Sequence, residues 1–219
     1  TGLKYGLCVK RNDARQAQLT VRECFEASRP LRGSNAAHDP QHEGAFYYNG
    51  GHFQWWAVQN GLGDLNNATL AQELRRLLGD DLFLQFSSPQ LAGGGYGTAD
   101  AYGQFLRRVL SGQLKIGAHL GESAVCTQPD ACPQQALDTP LPQPLRWHYS
   151  LGHWVEDDPD NGDGSFSSAG FLGFYPWIDA DRQWYGIVAR DKGSLRGNVA
   201  LESVECGRLI RRAWLNAGR

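Results

Sequence analysis

Apolar residues in the first two thirds of the chain recur at helical spacing. Phe53, Trp56 and Ala57 share one helix face, and Leu70, Leu74, Leu77 and Leu78 make another over Ala68 to Leu78, where Gly79 stops it. Thr98 can cap a third helix running to about Leu110, with Tyr102, Phe105, Leu106, Val109 and Leu110 as one stripe and Gly112 beyond its end. Upstream, Leu19 to Phe25 reads as a short helix entered at Thr20, followed from Arg29 to Gly44 by a polar loop carrying Pro30, Gly33 and Pro40.

After the Pro-rich stretch Pro129 to Pro144 the texture changes to short aromatic and β-branched runs. Trp147 to Val155, Ser167 to Ile178 and Gln183 to Ala189 read as strands. The turn Asp179-Ala180-Asp181-Arg182 joins the last two as a hairpin, and the acidic, turn-rich segment Glu156 to Gly164 separates the first two. Leu201, Val204, Leu209, Ile210, Ala213 and Trp214 then mark a closing helix laid on the sheet. The class is α+β, an antiparallel sheet flanked by helices. The 219 residues are read as a single domain, with a helical lobe at about 19–146 and the sheet and closing helix at about 147–219.

Composition narrows the function classes. Charged residues make up 20% and the net charge is −2, so no basic concentration points to nucleic acid. No apolar run approaches the roughly 20 residues that span a bilayer. The sequence contains no Met and begins at Thr1, which leads to the expectation that an amino-terminal part is missing. Of the five cysteines, Cys126 and Cys132 flank a short Pro-containing turn where a disulfide closes easily; two buried free thiols are the alternative. A disulfide there would place the protein in an oxidising compartment, periplasmic or secreted.

The chemistry concentrates in Phe46-Tyr47-Tyr48-Asn49-Gly50-Gly51-His52, a Tyr and an Asn two apart just before a helix. By itself a Tyr-x-Asn pair is usually a turn. A Tyr hydroxyl, with a pKa near ~10, acts as a base only where cations stabilise the phenolate or share its proton. Ser88-Pro89-Gln90-Leu91-Ala92-Gly93-Gly94 follows, then Thr98-Ala99, Tyr102 and Phe105-Leu106. Trp147-His148-Tyr149-Ser150-Leu151-Gly152 and Ser167-Ser168-Ala169-Gly170-Phe171 come later. The order and spacing of these motifs resemble the class C β-lactamase and esterase superfamily of penicillin-recognising serine hydrolases, over about residues 19–215.

The resemblance implies a β-lactamase or transpeptidase-like fold in which a serine attacks a carbonyl and water clears the acyl-enzyme, without a cofactor. Residue by residue, Tyr47 would share a proton with the nucleophile and its lysine, and Asn49 would bond the substrate amide or that lysine. Ser168-Ala169-Gly170 would stand for Lys-Thr-Gly, with the Phe171 N–H as half of an oxyanion hole. Ser168 in place of lysine removes the cation for a β-lactam carboxylate, which favours an esterase or peptidase over antibiotic hydrolysis; the expected substrate is a small-molecule ester or amide. The largest departure is that no Ser-x-x-Lys occurs in the chain. Ser111 to Lys115 is one residue too long, and Thr1-Gly2-Leu3-Lys4 lies too near Leu19. The serine is therefore expected on an absent upstream segment, or on an upstream chain of the same precursor that would then be the partner. The competing expectation is a non-catalytic binding domain that has lost it.

Other candidates are weaker. Thr1 as an amino-terminal nucleophile has only its position to recommend it. Asp158 to Gly164 has the oxygen-rich character of a calcium loop without the spacing or the bidentate Glu, and His52, His148 and His153 are scattered. Trp55, Trp56, Trp147 and Trp154 read as core or cleft lining rather than a sugar platform.

Overall fold

The computed structural model describes residues 19–27, 40–190 and 199–217. Thr1, Lys4 and Cys8, and most of the polar loop after Phe25, lie outside them. The chain divides into two compact units, residues 1–102 with 133–140, and residues 103–132 with 141–219. Each is described by itself.

In the first unit α1 (Val21–Ala27) starts at a reciprocal cap. The Glu23 N–H donates to Thr20 Oγ1 at 3.2 Å, and the Thr20 N–H donates to Glu23 Oε2 at 2.9 Å. Strand β1 (Phe46–Tyr47) leads into α2 (Gly51–Gln59), and α3 (Asn67–Leu78) is capped by Asn66, whose Oδ1 accepts from the N–H groups of Ala68 and Thr69. Val21, Ala57, Leu70, Ala71 and Phe86 form the core. Strands β2 (Leu84–Phe86) and β3 (Gly95–Gly97) make a small antiparallel pair.

Helix α2 does not bury the face expected of it. Gln54 and Ala57 are buried, whereas Phe53, Trp55 and Trp56 lie outward. The cause is the Gln54 amide. Its Nε2 donates to the carbonyls of Val21 (3.0 Å) and Pro89 (2.6 Å), and its Oε1 accepts from the Leu91 N–H (3.1 Å). One polar side chain thus ties α1, α2 and the turn at 88–94 together, and its bonding overrides the apolar pattern.

Helix α4 (Ala99–Leu110) is capped by Thr98, whose hydroxyl accepts from the Ala101 N–H, and it runs across the boundary between units. Strand β4 (Val125–Cys126) belongs to the second unit, and β5 (Ala136–Asp138) pairs in parallel with β1 in the first. The second unit also holds a 3-10 turn (Lys115–His119), β6 (His148–Ser150), β7 (His153–Glu156), β8 (Ser165–Ser167), β9 (Tyr175–Ile178), β10 (Tyr185–Val188) and α5 (Val199–Asn216).

The described strands of this unit form one antiparallel sheet in the order β10-β9-β8-β7-β6-β4. Gly186 pairs with Trp177 and so shares its face, the one turned to α5; a Cβ on Gly186 would stand 2.1 Å from the Trp177 ring. Tyr185 points to the opposite face, where its hydroxyl accepts from Arg107 of α4 at 2.6 Å. Helices therefore cover both faces.

Two runs expected as single strands are hairpins. Trp147 to Val155 folds back at Leu151 and Gly152, both at positive φ (39° and 92°), with Ser150 opposite His153. A leucine in that conformation is uncommon, so Leu-Gly carries no ordinary turn signal. Ser167 to Ile178 breaks at residues 168–174. The turn at Asp179 is as expected: its Oδ1 accepts from the Gln183 and Trp184 N–H groups, each at 2.7 Å.

Helix α5 lies on the sheet but buries Val199, Ser203, Val204, Gly207, Arg208 and Arg211, while Leu209, Ile210 and Trp214 are exposed. Beneath it, Arg211 donates to Glu156 (2.7 Å), Asp163 (2.6 Å) and the Tyr175 hydroxyl (2.5 Å), and Arg208 bonds both Glu156 and Asp158. Their guanidinium planes also stack near Trp147, Tyr175 and Trp177. The acidic segment between β7 and β8 is spent here and on its own turn, where Asp158 and Asp163 accept backbone N–H groups.

Candidate functional site

Tyr47 ends β1 because the strand is only two residues long, and it lies in register with Asp138 of β5. Two residues on, Asn49 Oδ1 accepts the Gly51 N–H at 2.6 Å, which satisfies a free donor at the start of α2. That bond orients the amide and leaves its NH2 group as the part able to meet another molecule. His52, on the first turn of α2, bonds the Tyr47 backbone, and its burial holds its pKa below the ordinary histidine range. Tyr47, Asn49, His52 and Asp138 are thus one neighbourhood.

The Tyr47 hydroxyl is shifted upward, first by burial and then by the negative charge of Asp138. Both influences keep its proton on. A base of the kind the resemblance implies needs the opposite influence, a nearby cation. Asp138 was not legible as a site residue, since it sits in the Pro-rich stretch and gives no motif; only the β1–β5 pairing brings it to Tyr47.

In the second unit the ladder of β8 and β9 continues past both strands. The Ser168 N–H donates to the Pro176 carbonyl at 3.1 Å, and the Gly170 N–H to that of Phe174 at 2.9 Å. A tight turn closes where the Gly173 N–H meets the Gly170 carbonyl at 2.8 Å. Phe171 is at the corner of that turn, 78% exposed, and its N–H has no hydrogen-bond partner among the described residues. Gly170 is needed for the approach, because a Cβ there would stand 2.7 Å from the Phe174 oxygen. Ser168 is exposed.

Cys126 and Cys132 are joined in a disulfide. Cys24 is also disulfide-bonded, and Cys206 is free and exposed. Trp147 and Trp154 are core residues, whereas Trp55 and Trp56 face outward. His148 lies beside Asp157, whose Oδ1 accepts the His148 backbone N–H at 3.1 Å. His153 is pushed down to about 4 by burial, and its Nε2 accepts the Gly121 N–H at 3.0 Å, so the neutral ring is the form that fits. Among the described residues no group of three or more His, Cys, Asp or Glu is placed to hold a metal ion, and no helix is long and apolar enough to cross a membrane.

Comparison with known proteins gives a likeness of fold. No family model and no curated protein sequence matches the chain. A crystal structure described as a "putative beta-lactamase from Bacteroides dorei DSM 17855" matches with a TM-score of 0.51 and 21% identity, over 87% of this chain and 65% of that one. The chain thus spans less than two thirds of that protein's length. The mixed helix and antiparallel-sheet architecture is β-lactamase-like.

Proposed function

We propose that this chain is part of a β-lactamase-related serine hydrolase that acts on an ester or amide, with the nucleophilic serine and its lysine on a polypeptide outside these residues. The observation that carries the reading is the Tyr47-Tyr48-Asn49 turn. It puts a half-buried phenol at a strand end, and two residues later an amide anchored at a helix start, its NH2 without a hydrogen-bond partner among the described residues. The partner serine attacks the carbonyl, and its lysine takes the proton as the tetrahedral oxyanion forms. The resemblance gives the Phe171 N–H the role of donor to that oxyanion, and Asn49 Nδ2 the role of holding the substrate carbonyl or the lysine. Tyr47, kept protonated by burial and Asp138, delivers a proton to the leaving group; a cation brought by the partner lysine would let it take the proton back. Water then clears the acyl group. Ser168 in the position of the Lys-Thr-Gly lysine disfavours β-lactam carboxylates. The Cys126–Cys132 disulfide fits a periplasmic or secreted setting.

The upward shift of Tyr47 also favours the second reading, a non-catalytic domain that binds a peptide, a cell-wall fragment or another protein. Hydrolysis of an alkyl ester or an amide, whose leaving group must be protonated as it departs, by the protein purified from its natural source separates them. The hydrolase reading expects turnover that drops at least about 100-fold in Tyr47→Phe with KM little changed, as for loss of a proton donor acting in the transition state. Absence of turnover in every fraction containing this chain selects the binding reading.

A further inference from the structure

Helix α5 carries its apolar residues on a flank that nothing among the described residues covers. Cys206, Leu209, Ile210, Ala213 and Trp214 recur at steps of three and one, the spacing of a helix–helix seam, and all are exposed, Leu209 at 62% and Trp214 at 54%. The buried side of α5 is centred on Ser203, Gly207 and Arg211, so at 100° per residue the seam points sideways along the sheet rather than away from it. Trp214 fixes which side. Its ring lies 6.0 Å from that of Trp184, just before β10. On that side lies the last of the described strands, for β10 pairs with β9 through one edge, and no described strand pairs with the other. An apolar helix flank thus adjoins a strand edge that is unpaired among the described residues. Either alone invites association, and together they form one continuous surface.

We propose that this surface joins two copies of the chain about a two-fold axis, β10 pairing antiparallel with β10 of the second copy and α5 packing antiparallel against its counterpart. The charges choose a second copy as the occupant. Glu205 and Arg212 are both exposed on the outer margin of the seam, seven residues apart and astride its centre at Leu209 and Ile210, and neither has an ion-pair partner among the described residues. In an antiparallel pair each Glu205 comes opposite the other copy's Arg212, whereas a parallel pair would set like charges together. Arg190 already neutralises Glu202 at the far end of the seam, at 2.8 Å. The surface is therefore self-complementary, as an isologous contact requires. An edge strand with this apolar flank also gains by being closed, since closure removes a template for indefinite addition.

This inference does not rest on the role assigned to Tyr47, and its test reads mass rather than activity. Sedimentation equilibrium of the full chain from 1 to 200 µM should give twice the chain mass at the upper end. Ile210→Asp, a change on an exposed helix position, should raise the dissociation constant at least about 100-fold with the far-ultraviolet circular dichroism unchanged. In a separate variant, Ala213→Cys should crosslink to Cys206 of the other copy on mild oxidation, giving a dimer on a non-reducing gel that Cys206→Ser abolishes. A chain of single mass throughout the range overturns the proposal, whatever other polypeptide the surface holds. So does a dimer that Ile210→Asp leaves intact and that forms no 206–213 bond.

Discussion

Tyr47 and Asp138 lie in register, and the phenol, already raised by burial, senses the negative charge of the carboxylate. Removing that charge should bring Tyr47 down toward the ordinary tyrosine range: Asp138→Asn should shift the Tyr47 ring carbon titration to lower pH in an NMR experiment, with Tyr47→Phe identifying the resonance. An unchanged titration would mean that burial acts alone. His153 gives a second pH signature. Its folded pKa of about 4 lies below the 6.5 of the unfolded chain, so between those values the unfolded state binds the extra proton and stability falls as pH falls. Discounted for its partial exposure, the loss is about 1–2 kcal/mol. His153→Gln can keep an acceptor for the Gly121 N–H and should flatten denaturant-derived stability between pH 4 and 6.5. Asp158, held below the usual carboxylate range by Arg208 despite its burial, adds a further loss at lower pH. Gln54→Leu leaves three backbone partners without their bonds and should cost about 2 kcal/mol in chemical denaturation.

At the scale of elements, the helices at 67–78 and 99–110, the hairpin at Asp179 and the closing helix were all legible from periodicity, caps and turns. What the pattern did not give was which face of α2 and α5 turns inward. In both, polar side chains with exact partners are buried and apolar ones face out, and those partners come from segments remote in sequence. Hydropathy ranks Arg211 as a surface residue; the carboxylates of Glu156 and Asp163 and the Tyr175 hydroxyl make it a core one. Cutting one member leaves buried charge uncompensated, so Arg211→Met should destabilise by about 3–5 kcal/mol in thermal or urea unfolding. The double variant Arg211→Met with Glu156→Gln should recover part of that loss, and failure to do so would contradict a coupled network. The strand run at 147–155 was misread because Leu151 takes a positive φ without a side chain that advertises it.

For the whole molecule, a β-lactamase-like α+β fold was legible in the order of loose motifs, each of which is weak alone. Of the residues proposed for function, Tyr47, Asn49 and the turn from Ser168 to Phe171 are singled out by local sequence, whereas Asp138, which only strand pairing brings beside Tyr47, is not. The absent Ser-x-x-Lys remains the hinge of the functional account. The most direct measurement is fluorophosphonate labelling of the protein from its natural source, read by intact mass and peptide mapping. The account predicts a covalent adduct on a serine of an accompanying polypeptide and none on this chain, with the label lost after heat denaturation. An adduct on a serine of this chain, or no adduct on any species that accompanies it, would contradict it.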